Sequence, residues 1–320
     1  PTGLTANITA ASLTVTASAQ SKTYGSTAPT SGTLNTNFTV SGLQGTDAAS
    51  GATLSYSGAT AGNLAAATVG SYTITPSALT LSSGSTSNYS ITYSTGTLTV
   101  NTVALTITGI SISNKTYNGN TTATITGTAA YSGLVNGETF TVTGTPTASF
   151  ADANVGTGKS VTVTGYTAPS SNYSITQPTG LTANITGASL TVTASAQSKT
   201  YGSTAPTSGT LNTNFTVSGL LGTDAASGVT LSYSGATAGN LAAATVGSYT
   251  ITPSALTLSS GSTSNYTITY NTGTLTVNTA ALTITGITIS NKTYNGNTTA
   301  TISGTAAYSG LVNGESFTVT

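Results

Sequence analysis

The chain has 320 residues, of which five are Lys or Arg and five are Asp or Glu, and it contains no His, Cys, Met or Trp. A net charge of zero offers no basic patch for displacing counterions from nucleic acid or for holding an anionic membrane surface. The missing His and Cys remove the usual nucleophile–base pairs and zinc ligands, so the composition points away from an enzyme and from any cofactor or metal centre.

The 16 tyrosines and the abundance of Thr, Val and Ile suit strands and argue against disorder. No apolar run approaches the roughly 18 residues a membrane-spanning helix needs. Low charge also lowers the electrostatic barrier to association, which suits a protein meant to pack with its own kind.

In chain order, PTGLTANIT opens the sequence and reads as a strand. SLTVTASA (Ser12–Ala19) alternates apolar and polar residues, the period-2 pattern of a half-buried strand. Lys22-Thr23-Tyr24-Gly25 follows directly. The strand pair NYSITYSTGTLTV (Asn88–Val100) closes this stretch, and ALTITGISI (Ala104–Ile112) leads into Lys115-Thr116-Tyr117-Asn118-Gly119. NYSITQPTGLTANIT (Asn172–Thr186) closes the next stretch. Gly-rich breaks such as Ser57-Gly58, Asn118-Gly119 and Asn136-Gly137 fit turns.

The pattern then repeats. Residues 1–143 align without gaps on 178–320 with nine differences, a period of 177 residues. Lys-Thr-Tyr stands at Lys22, Lys115, Lys199 and Lys292, so four of the five lysines occupy one setting. Each 177-residue unit holds two related modules, A and B. The expected layout is the last strand of an upstream B module at 1–10, A at 11–101, B at 102–187, A at 188–278 and a partial B at 279–320. Six or seven short strands per module predict an all-β tandem array of small immunoglobulin-like β-sandwiches, with β-grasp-like modules as the alternative. The short linkers Asn101–Val103 and Thr186–Ala188 predict a stiff string.

SLTVTASAQSKTYGSTAPT, with VGSYTITPSALTL and NYSITYSTGTLTV, resembles the mostly-β, glycine-rich (MBG) repeat with its K-x-Y-G signature. ALTITGISISNKTYNGNTTATITG, with YSGLVNGETFTVTG, resembles the YDG repeat. Both occur in tandem in very large bacterial surface proteins, including filamentous-haemagglutinin-like adhesins. The resemblance implies export to the bacterial cell surface and a role in adhesion, matrix or fibre structure. The signature residues it carries over are Lys22, Tyr24, Gly25, Lys115, Tyr117, Gly119, Lys199, Tyr201, Gly202, Lys292, Tyr294 and Gly296, read as structural. Asn118 and Asn295 stand where YDG repeats carry Asp, which puts in doubt any role that needs that carboxylate.

Each lysine is expected to lay its stem beside the tyrosine, keep its charge in water and pair with an acid, Asp47 in A or Glu138 or Asp152 in B. A Lys–Asn isopeptide crosslink beside a buried carboxylate is the sharper reading. Asp152-Ala153-Asn154 resembles an oxygen-ligand loop, but one carboxylate is too few for calcium, and a turn is the plainer reading. The tyrosines read as half-buried sandwich residues, with host or matrix glycan stacking as the alternative. The function expected is a structural repeat region of a secreted surface fibre that self-associates through uncharged Thr/Ser-rich faces. The alternatives are a stalk presenting a distal adhesive tip, and repeats that bind glycans directly.

Overall fold

A computed structural model describes residues 2–320. The chain divides into two compact units, Pro1–Ser113 with Thr122–Ser149 and Ser160–Thr182, and Asn114–Thr121 with Phe150–Lys159 and Ala183–Thr320. Both are all-β, and each contains a small sandwich.

In the first unit, β1 (Ala11–Ala17) continues after a two-residue break as β2 (Gln20–Thr23). There follow β3 (Ser31–Gly32), β4 (Phe38–Ser41), β5 (Ala48–Tyr56), β6 (Gly70–Ser83), β7 (Tyr89–Ser94) and β8 (Gly96–Asn101). One sheet has the order β4-β1-β7 and the other β2-β8-β6-β5-β3. The chain's alternation puts Leu13, Val15, Phe38, Ala49, Ala52, Leu79 and Tyr89 into one core between them.

The first and last strands run parallel and change sheets together. Leu13 faces Ile91 in one sheet, and Lys22 faces Val100 in the other. Gly96 makes the step possible, since a Cβ there would stand 2.5 Å from the Ala17 carbonyl oxygen. In β6, Ala78 adopts a left-handed conformation (φ 46°) where the β5 register shifts, and the Leu79 N–H bonds the Tyr93 hydroxyl at 3.0 Å.

β9 (Val103–Ile112) begins one residue after β8 and pairs with β11 (Ile125–Ser132) and, in parallel, with β14 (Tyr173–Thr176), with β12 (Thr143–Phe150) and β13 (Gly156–Thr167) between those two in the chain. The apolar core does not stop at this junction. Ala17, Tyr24, Leu54, Ile74, Leu98 and Val100 form one buried cluster with Leu105 and Tyr173. The junction is therefore continuous packing as well as a short linker.

In the second unit β10 (Lys115–Thr116) pairs parallel with β15 (Thr182–Thr186), where Lys115 faces Ile185. The sandwich of residues 188–278 reproduces the first, with Leu190 facing Ile268 and Lys199 facing Val277. Within 279–320, Thr283–Thr285 pairs with Ala307–Ser309, and Thr288–Ser290 with Thr301–Ser303.

Identical sequences take different states. TANIT is strand at 182–186, but at 5–9 no strand forms, and Ile8 is fully exposed where its copy Ile185 is 1% exposed. Lys115-Thr116 supplies the ladder partner for the second copy, so tertiary pairing decides the state and intrinsic propensity does not. Pro1, the first residue of the segment expected as strand, lies outside the described residues.

Candidate functional site at the domain junctions

The alternation of β2 turns Lys22 and Tyr24 inward and Thr23 outward. Lys22 is 8% exposed, and its Nζ donates to the carbonyl oxygens of Ser26 at 2.9 Å and Leu64 at 2.6 Å. Lys199 repeats this with Ser203 at 2.9 Å and Leu241 at 2.7 Å. Burial lowers the pKa of both.

Lys115 is less enclosed. It donates to the backbone and side-chain oxygens of Asn120 at 2.7 and 3.0 Å and lies 5.6 Å from the centre of the Phe150 ring. Lys292 holds Asn297 in the same way, at 2.7 and 2.8 Å, and adds Asn295 Oδ1 at 3.0 Å.

At Lys22 and Lys199 these contacts correct the expectation of a solvated lysine paired to Asp47, Glu138 or Asp152. The ammonium of Lys22 staples a carbonyl of the loop that follows the strand, Ser26, to one of the loop between β5 and β6, Leu64, and Lys199 does the same with Ser203 and Leu241. Three donors on a long stem allow it to hold two chain segments at once. The acids have other partners.

Those partners are tyrosines. Tyr24 donates to Glu138 Oε1 at 2.7 Å, and Tyr173 donates to Oε2 of the same carboxylate. The two rings meet edge to face with centroids 5.6 Å apart. Tyr117 and Tyr266 both donate to Asp224 Oδ2, at 2.9 and 2.7 Å, with ring centroids 5.4 Å apart. Tyr201 donates to Glu315 Oε1 at 2.5 Å. At Asp47 a single tyrosine, Tyr89, donates to Oδ2 at 2.7 Å.

Burial, and then the carboxylate, raise the phenol pKa values of Tyr24, Tyr173 and Tyr117, and push Tyr266 up to about 12. For the less enclosed Tyr89 hydroxyl the Asp47 bond is the main cause of the rise.

A second bond accompanies each tyrosine pair. The Val69 N–H donates to Asn172 Oδ1, and the Val155 N–H to Asn265 Oδ1, both at 3.0 Å. Asn265 is 2% exposed, and its Nδ2 donates to Asn154 Oδ1 at 3.1 Å. The glycine of the signature sits between. A Cβ on Gly25 would stand 2.6 Å from Val135, and one on Gly202 2.6 Å from Val312. Lys-Thr-Tyr-Gly is thus one half of a joint. Its lysine fixes the loop, its tyrosine reaches an acid in the following stretch, and its glycine admits the turn carrying that acid.

The family model of the MBG domain (YGX type) matches residues 13–99 and 190–276, together more than half of the chain. The chain belongs to the MBG family. Between the two MBG domains, the YDG domain model matches residues 101–180. No curated protein is similar enough to the chain to match it. Tyr24 and Glu138 therefore join an MBG domain to the YDG domain, and Tyr117 and Asp224 join the YDG domain to the next MBG domain.

The YDG domain's Asn118 takes a turn role in place of aspartate, its Oδ1 accepting from the Asn120 N–H at 3.3 Å. Asp152 is closed by Lys159 Nζ at 2.6 Å and the Asn154 N–H at 2.8 Å, which hold its pKa below the usual carboxylate range. Tyr294 is 93% exposed. Among the described residues, no three His, Cys, Asp or Glu side chains come together, and no helix is long and apolar enough to cross a membrane.

One cavity lies beside Tyr201, lined by Val246, Leu282, Val312, Glu315 and Phe317. At the corresponding place between Tyr24 and Phe140, the ring of Tyr173 fills the space. The cavity is therefore a seat for a domain side chain. Sequence reasoning named the acids but missed Asn172, Asn265, Val69 and Val155. The available signal was the recurrence of Asn-Tyr at residues 88, 172 and 265 and of Val-Gly at 69, 155 and 246.

Proposed function

We propose that these MBG and YDG domains are a non-catalytic, force-transmitting repeat region of a secreted bacterial surface fibre. The observation that carries this reading is the joint. Two phenols share one carboxylate, an Asn side chain caps a neighbouring N–H, and at the Tyr24 joint a single apolar cluster runs through. A flexible binding module would place little there. The exposed faces are rich in Thr and Ser, and the 3% charge leaves little repulsion between neighbouring strings, which favours self-association into fibres.

Electron microscopy of the native surface material tests this reading. Bundled filaments with neighbouring strings in fixed register support it. Isolated strands that each end in a distinct globule favour a stalk presenting an adhesive tip. Binding of glycans by the repeats themselves predicts affinity that rises with repeat number.

A further inference from the structure

The joints are not interchangeable, and one backbone position differs between them. The turn carrying the acid is Gln44-Gly45-Thr46-Asp47 in the first MBG domain and Leu221-Gly222-Thr223-Asp224 in the second. In the YDG domain it is Val135-Asn136-Gly137-Glu138. In all three, the N–H of the acid bonds the carbonyl three residues back, at 3.1 to 3.2 Å. The second turn residue is left-handed in each, with φ of 56° at Gly45, 62° at Gly222 and 56° at Asn136. The closing bond and the left-handed second residue are shared; the third residue differs, since Gly137 is also left-handed (φ 71°) and Thr46 and Thr223 are not, and so does the side chain at the second position.

What meets that position differs too. Gly119, from the YDG signature, lies against the turn of the second MBG domain, where a Cβ on Gly119 would stand 2.9 Å from Gly222 Cα. A Cβ on Gly222 would in turn stand 3.3 Å from Gly119 Cα. The two backbones touch, so a side chain on Gly119 forces a shift and one on Gly222 presses the facing backbone more tightly than ordinary contact. At the other joint Asn136 is a contact in its own right, since its Nδ2 donates to the Ala65 carbonyl at 3.3 Å. Asn313 does the same to Ala242 at 3.1 Å.

We propose that this left-handed turn position bars one YDG domain from following another and so favours the MBG–YDG alternation. Glycine there accepts the longer Tyr-Asn-Gly end of a YDG domain. Asparagine there excludes that end and is held by the Ala65-type carbonyl of an MBG domain. A YDG domain is therefore barred from following a YDG domain by the Asn side chain pressed on Gly119. The selection rests on joint geometry and holds whether the string forms a fibre or a stalk.

Asn tolerates the left-handed region, so Gly222→Asn changes the contact without forbidding the turn. The chain also contains its own control. Gly45 has the same turn with no atom within 4 Å of a Cβ built on it.

The experiment is amide hydrogen exchange on the full 320-residue chain. It reads the Val155 N–H, which crosses the YDG-to-MBG joint, and the Val69 N–H, which crosses the MBG-to-YDG joint. G222N is expected to speed Val155 exchange by about tenfold or more and to leave Val69 unchanged, while G45N changes neither. Val155 exchange in G222N that stays within about twofold of the parent overturns the proposal. If G222N also exposes the interior Leu231 amide, the domain itself has opened and the reciprocal variant decides. N136G removes the side chain from the YDG turn and keeps Gly137, whose φ of 71° a Thr would strain. A rise of about threefold at Val69 then supports the proposal, and an unchanged Val69 overturns it.

Discussion

Tyr117 and Tyr266 donate to the same oxygen of Asp224 from opposite sides of a domain junction. Among the described residues, no cation forms an ion pair with this carboxylate. The carboxylate is held by hydroxyl dipoles, which suits a chain that carries so little charge. Asp224→Ala leaves two buried hydroxyls without an acceptor and is expected to cost about 3–6 kcal/mol, at roughly 1.5–3 kcal/mol for each hydrogen bond to a charged group. Asp47→Ala, where Tyr89 alone donates, is expected to cost about half of that. Thermal unfolding of the two variants against the parent checks the ratio.

The same cluster sets an alkaline limit. Tyr266 ionises at about 12 in the fold, against 10.0 for a free phenol, chiefly through burial and then through Asp224. A phenol pKa raised on folding gives stability that is full below pH 10.0 and is lost as pH rises through about 12. Phenolate absorbance should therefore show a late-titrating class that includes Tyr266. Asp224→Asn should move Tyr266 downward while burial keeps it above the free value. A titration unchanged by Asp224→Asn would separate the phenol's shift from the carboxylate.

How much of this was legible beforehand depends on the range of the interaction. Strand alternation at Leu13 and Val15 follows from local sequence, as does the all-β class of the domains. The recurrence of Lys-Thr-Tyr marked the right place. Its chemistry was misread because charge complementarity is the usual guide to a lysine's partner. Here the partners are backbone carbonyls of Ser26 and Leu64, and a carbonyl acceptor leaves no trace in the side-chain sequence. The Tyr24–Glu138 contact spans 114 residues and became visible only with the fold. The strand at 182–186 and its absence at 5–9 differ solely in tertiary pairing, which no local reading distinguishes.

The staple role makes a direct prediction for Lys22. Lys22→Met keeps the apolar stem but removes the donor that ties the Ser26 and Leu64 carbonyls together, and a cost of about 1–3 kcal/mol is expected. Lys199→Met, in the same setting, should match it. Lys22→Arg should also destabilise, because a planar fork does not fit two carbonyls placed for a compact ammonium. Denaturant midpoints of the three variants check the order, and a neutral Lys22→Met would remove the staple as the reason for the lysine.

The glycine of the signature can be tested against its own chain. Gly25 has φ of 85° and would press a Cβ to 2.6 Å from Val135, whereas Gly45 has φ of 56° and open space. Gly45→Ala bears only the left-handed backbone penalty, about 1–2 kcal/mol. Gly25→Ala bears a similar backbone penalty plus the displacement of Val135, which overpacking puts at about 1–3 kcal/mol more. The excess is a property of the joint and not of the turn. Val135→Gly clears the space, including the Val135 Cβ that would stand 2.7 Å away, and should recover part of it in the double variant, while leaving Gly45→Ala untouched. Unfolding free energies of the four chains give the coupling directly, and a coupling near zero would mean that Gly25 is required for its backbone conformation alone.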